Sequence, residues 1–301
     1  MHASAKTRSQ RSAIARQHHV LLRTPWLLTI LMASGLCLAY LIGVFANWGQ
    51  AADRSLYANL GMIPIGLAAT ILAASASRTQ AERRSQWAWR LLAAGLACFL
   101  AGDVLFFVYQ NVLSVTPFPS PADAGYLAYY PLAFAGLLWF PKVGADRPRR
   151  SALYLGSIIA LTAGAVAILY FFLLPTVQSS REDILAYSLS VGYPVGDLLL
   201  LFGIAWMLMR RGPSGRLSIM LLSAGLVVGL GADLAYGYQN LQGTFQSGGY
   251  SDAGYMLSWA LFAWAGYMAA MRDPHKNTQE SSRGRLSATT ANGGANGVDE
   301  D

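Results

Sequence analysis

Hydrophobic positions in this chain gather into runs of about 20 residues or more, parted by short polar connections. A run of about 20 apolar residues is what an α-helix needs to cross about 30 Å of hydrocarbon. Eight are read: 25–46, 56–77, 87–110, 121–141, 151–175, 184–209, 215–239 and 251–271. The first is kept as a helix and not as a cleaved leader. Its uncharged stretch from Thr24 to Ala52 exceeds the apolar part of a signal peptide, and no convincing small-residue cleavage site accompanies it. Beyond Arg272 the pattern stops. The remaining residues are rich in Ser, Thr, Asn and Gly and end in acids, the composition of a disordered tail.

Charge is spread unevenly over the connections. Lys6, Arg8, Arg11, Arg16 and Arg23 precede the first run; Arg78, Arg83 and Arg84 lie between the second and third, with Arg90 at the edge of the third. Lys142, Arg147, Arg149 and Arg150 follow the fourth, Arg210, Arg211 and Arg216 the sixth, and Arg272, Lys276, Arg283 and Arg285 the eighth. On a path that alternates sides, all of the 22 basic residues except Arg54 and Arg181 fall on one side. Lys and Arg collect in cytoplasmic loops, so both termini are expected in the cytoplasm and the span count is expected to be even.

Composition agrees with a membrane. Of 301 residues, 54% are apolar and 12% charged, about half the charge of a soluble globular domain. That is too little to cover a water-soluble surface, and the chain is too apolar for general disorder. The net charge of +7 is accounted for by the cytoplasmic loops, so no nucleic-acid partner is inferred. Cys37 and Cys98 lie in apolar runs, which points to neither a disulfide framework nor a cysteine metal site. His2, His18, His19 and His275 all lie outside the runs, which argues against bis-histidine haem. No cofactor is expected; whether a metal binds is left open.

The chain repeats itself. LLAAGLACFLAGD (91–103) and LLSAGLVVGLGAD (221–233) agree at seven of thirteen positions, at an offset of 130. Tyr109-Gln110-Asn111 returns as Tyr238-Gln239-Asn240, and Asp123-Ala124-Gly125-Tyr126 as Asp252-Ala253-Gly254-Tyr255, both at an offset of 129. Pro64 and Gly66 match Pro194 and Gly196. Chance likeness between Ala/Leu/Gly-rich helices could yield the first match but not all of them in order. The expected fold is an all-α integral membrane protein of eight transmembrane helices in a tandem 4+4 parallel repeat. Its parts are a basic segment 1–24, a first four-helix repeat 25–141, a second 142–271 and the tail 272–301.

Asp103, Asp197 and Asp233 interrupt apolar runs. A charged Asp at the centre of a membrane helix costs about 2.5–3.5 kcal/mol on insertion scales. No Lys, Arg or His stands at matching depth, so these acids are expected to be neutral, hydrogen-bonded to Tyr, Ser or Asn, or ligands to an ion. Asp103 and Asp233 occupy equivalent places in the outer half. Asp197 has Leu67 as its counterpart, so any site is asymmetric. With Tyr109, Gln110, Asn111, Asp123 and Tyr126 on one side and Tyr238, Gln239, Asn240, Asp252 and Tyr255 on the other, two polar clusters are expected near the outer surface. An outward acidic cleft follows if the halves pack face to face.

Each of these positions also has a purely structural account. Asp123 after Ser120-Pro121 suits the start of a helix, and Asp252 does likewise. The Tyr-Gln-Asn triplets suit helix ends at the headgroup level. Pro64 and Pro194 suit kinks, the tryptophans interface anchors, and Asp103, Asp197 and Asp233 interhelical hydrogen bonds. No hydrolase, phosphate-loop or zinc motif is present, and no enzyme activity is expected.

GDVLFFVYQN (102–111), TPFPSPADAGYLAYYPLAFAGLL (116–138) and YPVGDLLLL (193–201) resemble, in that order, the N-terminal multi-span membrane region of bacterial GGDEF and GGDEF–EAL proteins. Those proteins make or degrade cyclic di-GMP. The resemblance covers most of 25–271 and implies a signal-input module that delivers to a cytoplasmic output domain. The departure is large: residues 272–301 carry no GG[DE]EF, EAL or kinase motif. What it implies is a bacterial inner-membrane sensor working through a cytoplasmic GGDEF, EAL or kinase partner, with the lipid bilayer around it and a second copy as a further candidate partner. A secondary transporter using the intramembrane acids as an ion or proton relay is the alternative. An intramembrane enzyme acting on lipid has the least support.

Overall fold

Local chemistry marks where two of the helices begin. The computed structural model describes residues 26–46, 48–49, 51–115, 118–141, 184–210 and 216–271. They form helices α1 (Trp26–Phe45), α2 (Ala51–Thr79), α3 (Arg83–Phe107), α4 (Ala122–Trp139), α5 (Ile184–Arg210), α6 (Arg216–Leu241) and α7 (Tyr250–Ala270), with no strand among the described residues. These coincide with the first four and last three of the predicted runs. The predicted run 151–175, the segment 1–24 and the tail 272–301 lie outside the described residues. At the start of α4, Ser120 Oγ accepts the Ala122 N–H at 3.2 Å while Asp123 Oδ2 accepts the Ser120 N–H at 2.7 Å. At the start of α7, Asp252 Oδ2 accepts the Gly248 N–H and the Ser247 hydroxyl. Both aspartates thus satisfy donors that a helix start leaves orphaned.

Five segments are long and apolar enough to cross a membrane: Trp26–Phe45, Asp53–Thr79, Arg83–Val112, Gly192–Met209 and Leu217–Asn240. Their outward faces stay hydrophobic. Met32 and Phe45 are each 75% exposed, and Leu28, Ile42, Leu67 and Val227 are also exposed. A helix facing water would carry polar residues there. Helices α4 and α7 carry Tyr and small polar residues; α7 packs against α2 and α6, and its Trp264 indole N–H is tied to α1 through Ser34 Oγ at 2.8 Å.

Packing fixes direction. Helices α3 and α4 run antiparallel, with Gly102 against Tyr126 and Gly136 against Leu92; α6 and α7 do the same, with Gly225 against Phe262 and Gly254 against Ala232. Helix α2 runs parallel to α7, with Gly61 at Met256 and Gly266 at Leu72, and α4 runs parallel to α5, with Gly192 at Leu127 and Gly203 at Leu137. The connections after α3 and α6 therefore share one end of the bundle, where Gly248 packs on Arg54 at the start of α2. Arg78, Arg83, Arg84, Arg90 and Arg216 mark the opposite end. Towards that end the interior is apolar, built on Leu72, Leu92, Leu137, Met207 and Leu222. Buried polar residues there, among those described, are serines such as Ser77, Ser85, Ser218 and Ser223.

Candidate functional site

Asp103 of α3 and Asp233 of α6 are held in matching ways. Asp103 Oδ1 accepts the Tyr126 hydroxyl at 3.0 Å, and Asp233 Oδ1 accepts the Tyr255 hydroxyl at 2.7 Å. Their other oxygens look across the molecule. Asp103 Oδ2 accepts the Trp259 indole N–H at 3.0 Å, and Asp233 Oδ2 is bonded to the Tyr130 hydroxyl at 3.3 Å. Trp259 lies one helical turn after Tyr255, and Tyr130 one turn after Tyr126. Each acid therefore takes one donor from the next helix and one from the equivalent position on the other side.

Close helix approach makes these bonds reachable. A Cβ on Gly125 would lie 2.6 Å from the Cys98 carbonyl oxygen and 2.9 Å from the Gly102 nitrogen, so only glycine lets α3 and α4 meet there. Gly196 plays a similar part for the Tyr130 ring, which occupies the space a side chain at that position would need.

The asymmetry expected from Asp197 is present. Its Oδ1 lies 3.2 Å from the Tyr130 hydroxyl, which also stands 3.3 Å from Asp233 Oδ2, so one phenol lies between the two acids. A single phenol O–H can donate to only one of these carboxyl groups at a time. Asp197 is 2% exposed, away from bulk water. Phe99, whose counterpart is Gly229, adds to the asymmetry: its ring contacts Tyr126 at 4.9 Å and Trp259 at 5.4 Å between centroids.

The remaining sequence candidates divide. Asp123 caps α4 and also accepts the Tyr193 hydroxyl from α5, so it joins two helices. The Tyr-Gln-Asn triplets do not behave alike. After α3 the backbone widens into a π-helical turn, Val108–Val112, closed by the Leu113 N–H on the Val108 carbonyl at 2.9 Å. There the Asn59 amide of α2 donates to Gln110 Oε1 at 3.0 Å and Asn111 Oδ1 at 2.7 Å. In α6 the second triplet stays α-helical; Gln239 accepts the Ser251 hydroxyl at 3.3 Å, Asn240 lies one turn after Tyr236, and Tyr238 is 54% exposed.

Between α2, α3, α4, α5, α6 and α7 is a cavity of about 380 Å³. Asp103, Asp197, Asp233, Asp123 and Asp252 line it, with Tyr126, Tyr255 and Asn240 from the sequence candidates. Tyr109, Gln110, Asn111, Tyr238 and Gln239 do not. Sequence reasoning missed Asn59, Tyr130, Tyr193, Tyr236 and the phenylalanines of the wall, as well as Trp259 behind Asp103. The usable signal for Tyr130 and Trp259 was their common offset of 129, obscured because the two residues differ. Among the described residues, no Lys, Arg or His lines the cavity, and no three acids, histidines or cysteines converge as a metal-ligand set.

The chain matches no family model, no curated protein and no solved structure.

Proposed function

We propose that the chain is a multi-pass signal-input module of a bacterial inner membrane. It binds a ligand, proton or cation in the cavity, at the outer end, and signals to a cytoplasmic GGDEF, EAL or kinase partner. The observation that carries this reading is the convergence of five aspartates from different helices on one cavity at the end away from the basic connections. The positive-inside pattern turns that end outward and both termini inward. The crossed hydrogen bonds at offsets of 129 and 130 support the tandem 4+4 arrangement about an axis along the membrane normal. They also supply a mechanism. An occupant that competes for the acids loosens Trp259 from Asp103 and Tyr130 from Asp233, the bonds that join the halves, and a shift between halves moves α7 and the tail behind it.

The test is thermal unfolding of the purified full-length protein in detergent, across pH and with added divalent ions, beside the Asp103→Asn, Asp233→Asn double variant. The reading expects a response in the wild type that the variant loses. Identical responses in both would refute it.

A second reading, the secondary transporter, is favoured by one feature: the chain of bonds Tyr255–Asp233–Tyr130–Asp197 has the form of a relay. Against it, the buried acids among the described residues all lie towards one end, and the predicted span 151–175 contains no Asp, Glu, Lys, Arg or His. Ion flux in proteoliposomes that is lost with Asp197→Asn would favour the transporter.

A further inference from the structure

The cavity is built for something larger than a bare ion. At about 380 Å³ it falls within the ~300–1,000 Å³ range of small-molecule sites. Most of its wall is carbon: Phe99, Phe106, Phe118, Tyr236, Phe245 and Met62 face it. Tyr236 and Phe245 meet edge to face with centroids 4.7 Å apart, a rigid corner of two rings. The charge on the wall is of one sign. One acid is placed to serve the cavity: Asp252 commits Oδ2 to the start of α7 and lines the cavity wall. A carboxylate on the cavity wall, with aromatic faces in the same wall and no basic residue among the described lining residues, suits a positive, carbon-rich guest. An anion would meet five acids, a neutral hydrocarbon would offer them no counter-charge, and a metal ion would find no convergent ligand set among the described residues.

We propose that the cavity binds a small organic cation, a quaternary ammonium or protonated amine, held by the aromatic faces through cation–π attraction and by Asp252 as counter-charge. The proposal rests on the sensing-site reading and names its ligand class.

The test uses the full-length protein in lipid nanodiscs, titrated with choline chloride, with its uncharged carbon analogue 3,3-dimethyl-1-butanol, and with calcium chloride at constant ionic strength. Binding is read from thermal unfolding and tryptophan emission. Choline is expected to bind saturably, and about tenfold or more tighter than the alcohol, the size of effect a desolvated cation–π contact supplies. Asp252→Asn and Phe245→Leu are each expected to weaken it; Phe245 lies in a connection outside the helices, so its variant tests the site even if the cap variant folds poorly. Equal binding of the alcohol, or choline binding unaffected by Phe245→Leu, overturns the proposal. A response to calcium or pH with choline inert overturns it too, while leaving the sensing site standing. Silence towards every cation and towards pH removes both.

Discussion

Each of Asp103 and Asp233 replaces lost water with two fixed partners, one near in sequence and one far. Leaving a buried carboxylate oxygen without its donor costs about 1–3 kcal/mol, more where charge is involved. Trp259→Phe and Tyr126→Phe are therefore each expected to destabilise the fold by about that amount. The discriminating measurement is a double-mutant cycle with Asp103→Asn, followed by unfolding in detergent. Both pairs should show coupling of about 0.5–3 kcal/mol; zero coupling between Asp103 and Trp259 would remove the cross-molecule bond from the account. The acids were legible in the sequence because a charge inside an apolar run is conspicuous. Their partners were not. Tyr130, Tyr193 and Trp259 stand among other aromatics, and nothing in a run of Tyr, Leu and Ala distinguishes a ring that donates a hydrogen bond from one that only packs.

At the level of helices, small residues decide how closely the elements meet. Gly125 faces backbone atoms of α3, which cannot swing aside, whereas Gly231 has open space around it. Gly125→Ala is expected to cost about 1–3 kcal/mol, the usual range for overpacking. Gly231→Ala is expected to be neutral, or to stabilise by about 0.5–1 kcal/mol through helix propensity. Melting temperatures of the two variants check the contrast, and equal losses would contradict it. Run length alone located the described helices, because spanning a bilayer imposes a length. The sequence could not foretell that α3 widens at Val108–Val112 while the same triplet in α6 stays α-helical. The first triplet is held by Asn59, a tertiary partner whose counterpart is Leu189, and so the two expected polar clusters are not twins.

For the whole molecule, the account depends on one polarity: acids and cavity at one end, arginines at the other, with lipid around the middle. The split of basic residues made that polarity visible before any packing was known. The cavity itself was not visible, since its wall draws on α2, α3, α4, α5, α6 and α7 together. The direct measurement is cysteine accessibility. With Cys37 and Cys98 replaced by serine, single Val115→Cys, Thr244→Cys and Arg84→Cys variants are exposed in spheroplasts to a membrane-impermeant maleimide. Positions 115 and 244 are predicted to react in intact spheroplasts, and position 84 only after permeabilisation. Labelling of 84 from outside, or of 115 and 244 from opposite sides, would contradict the arrangement on which the sensing site depends.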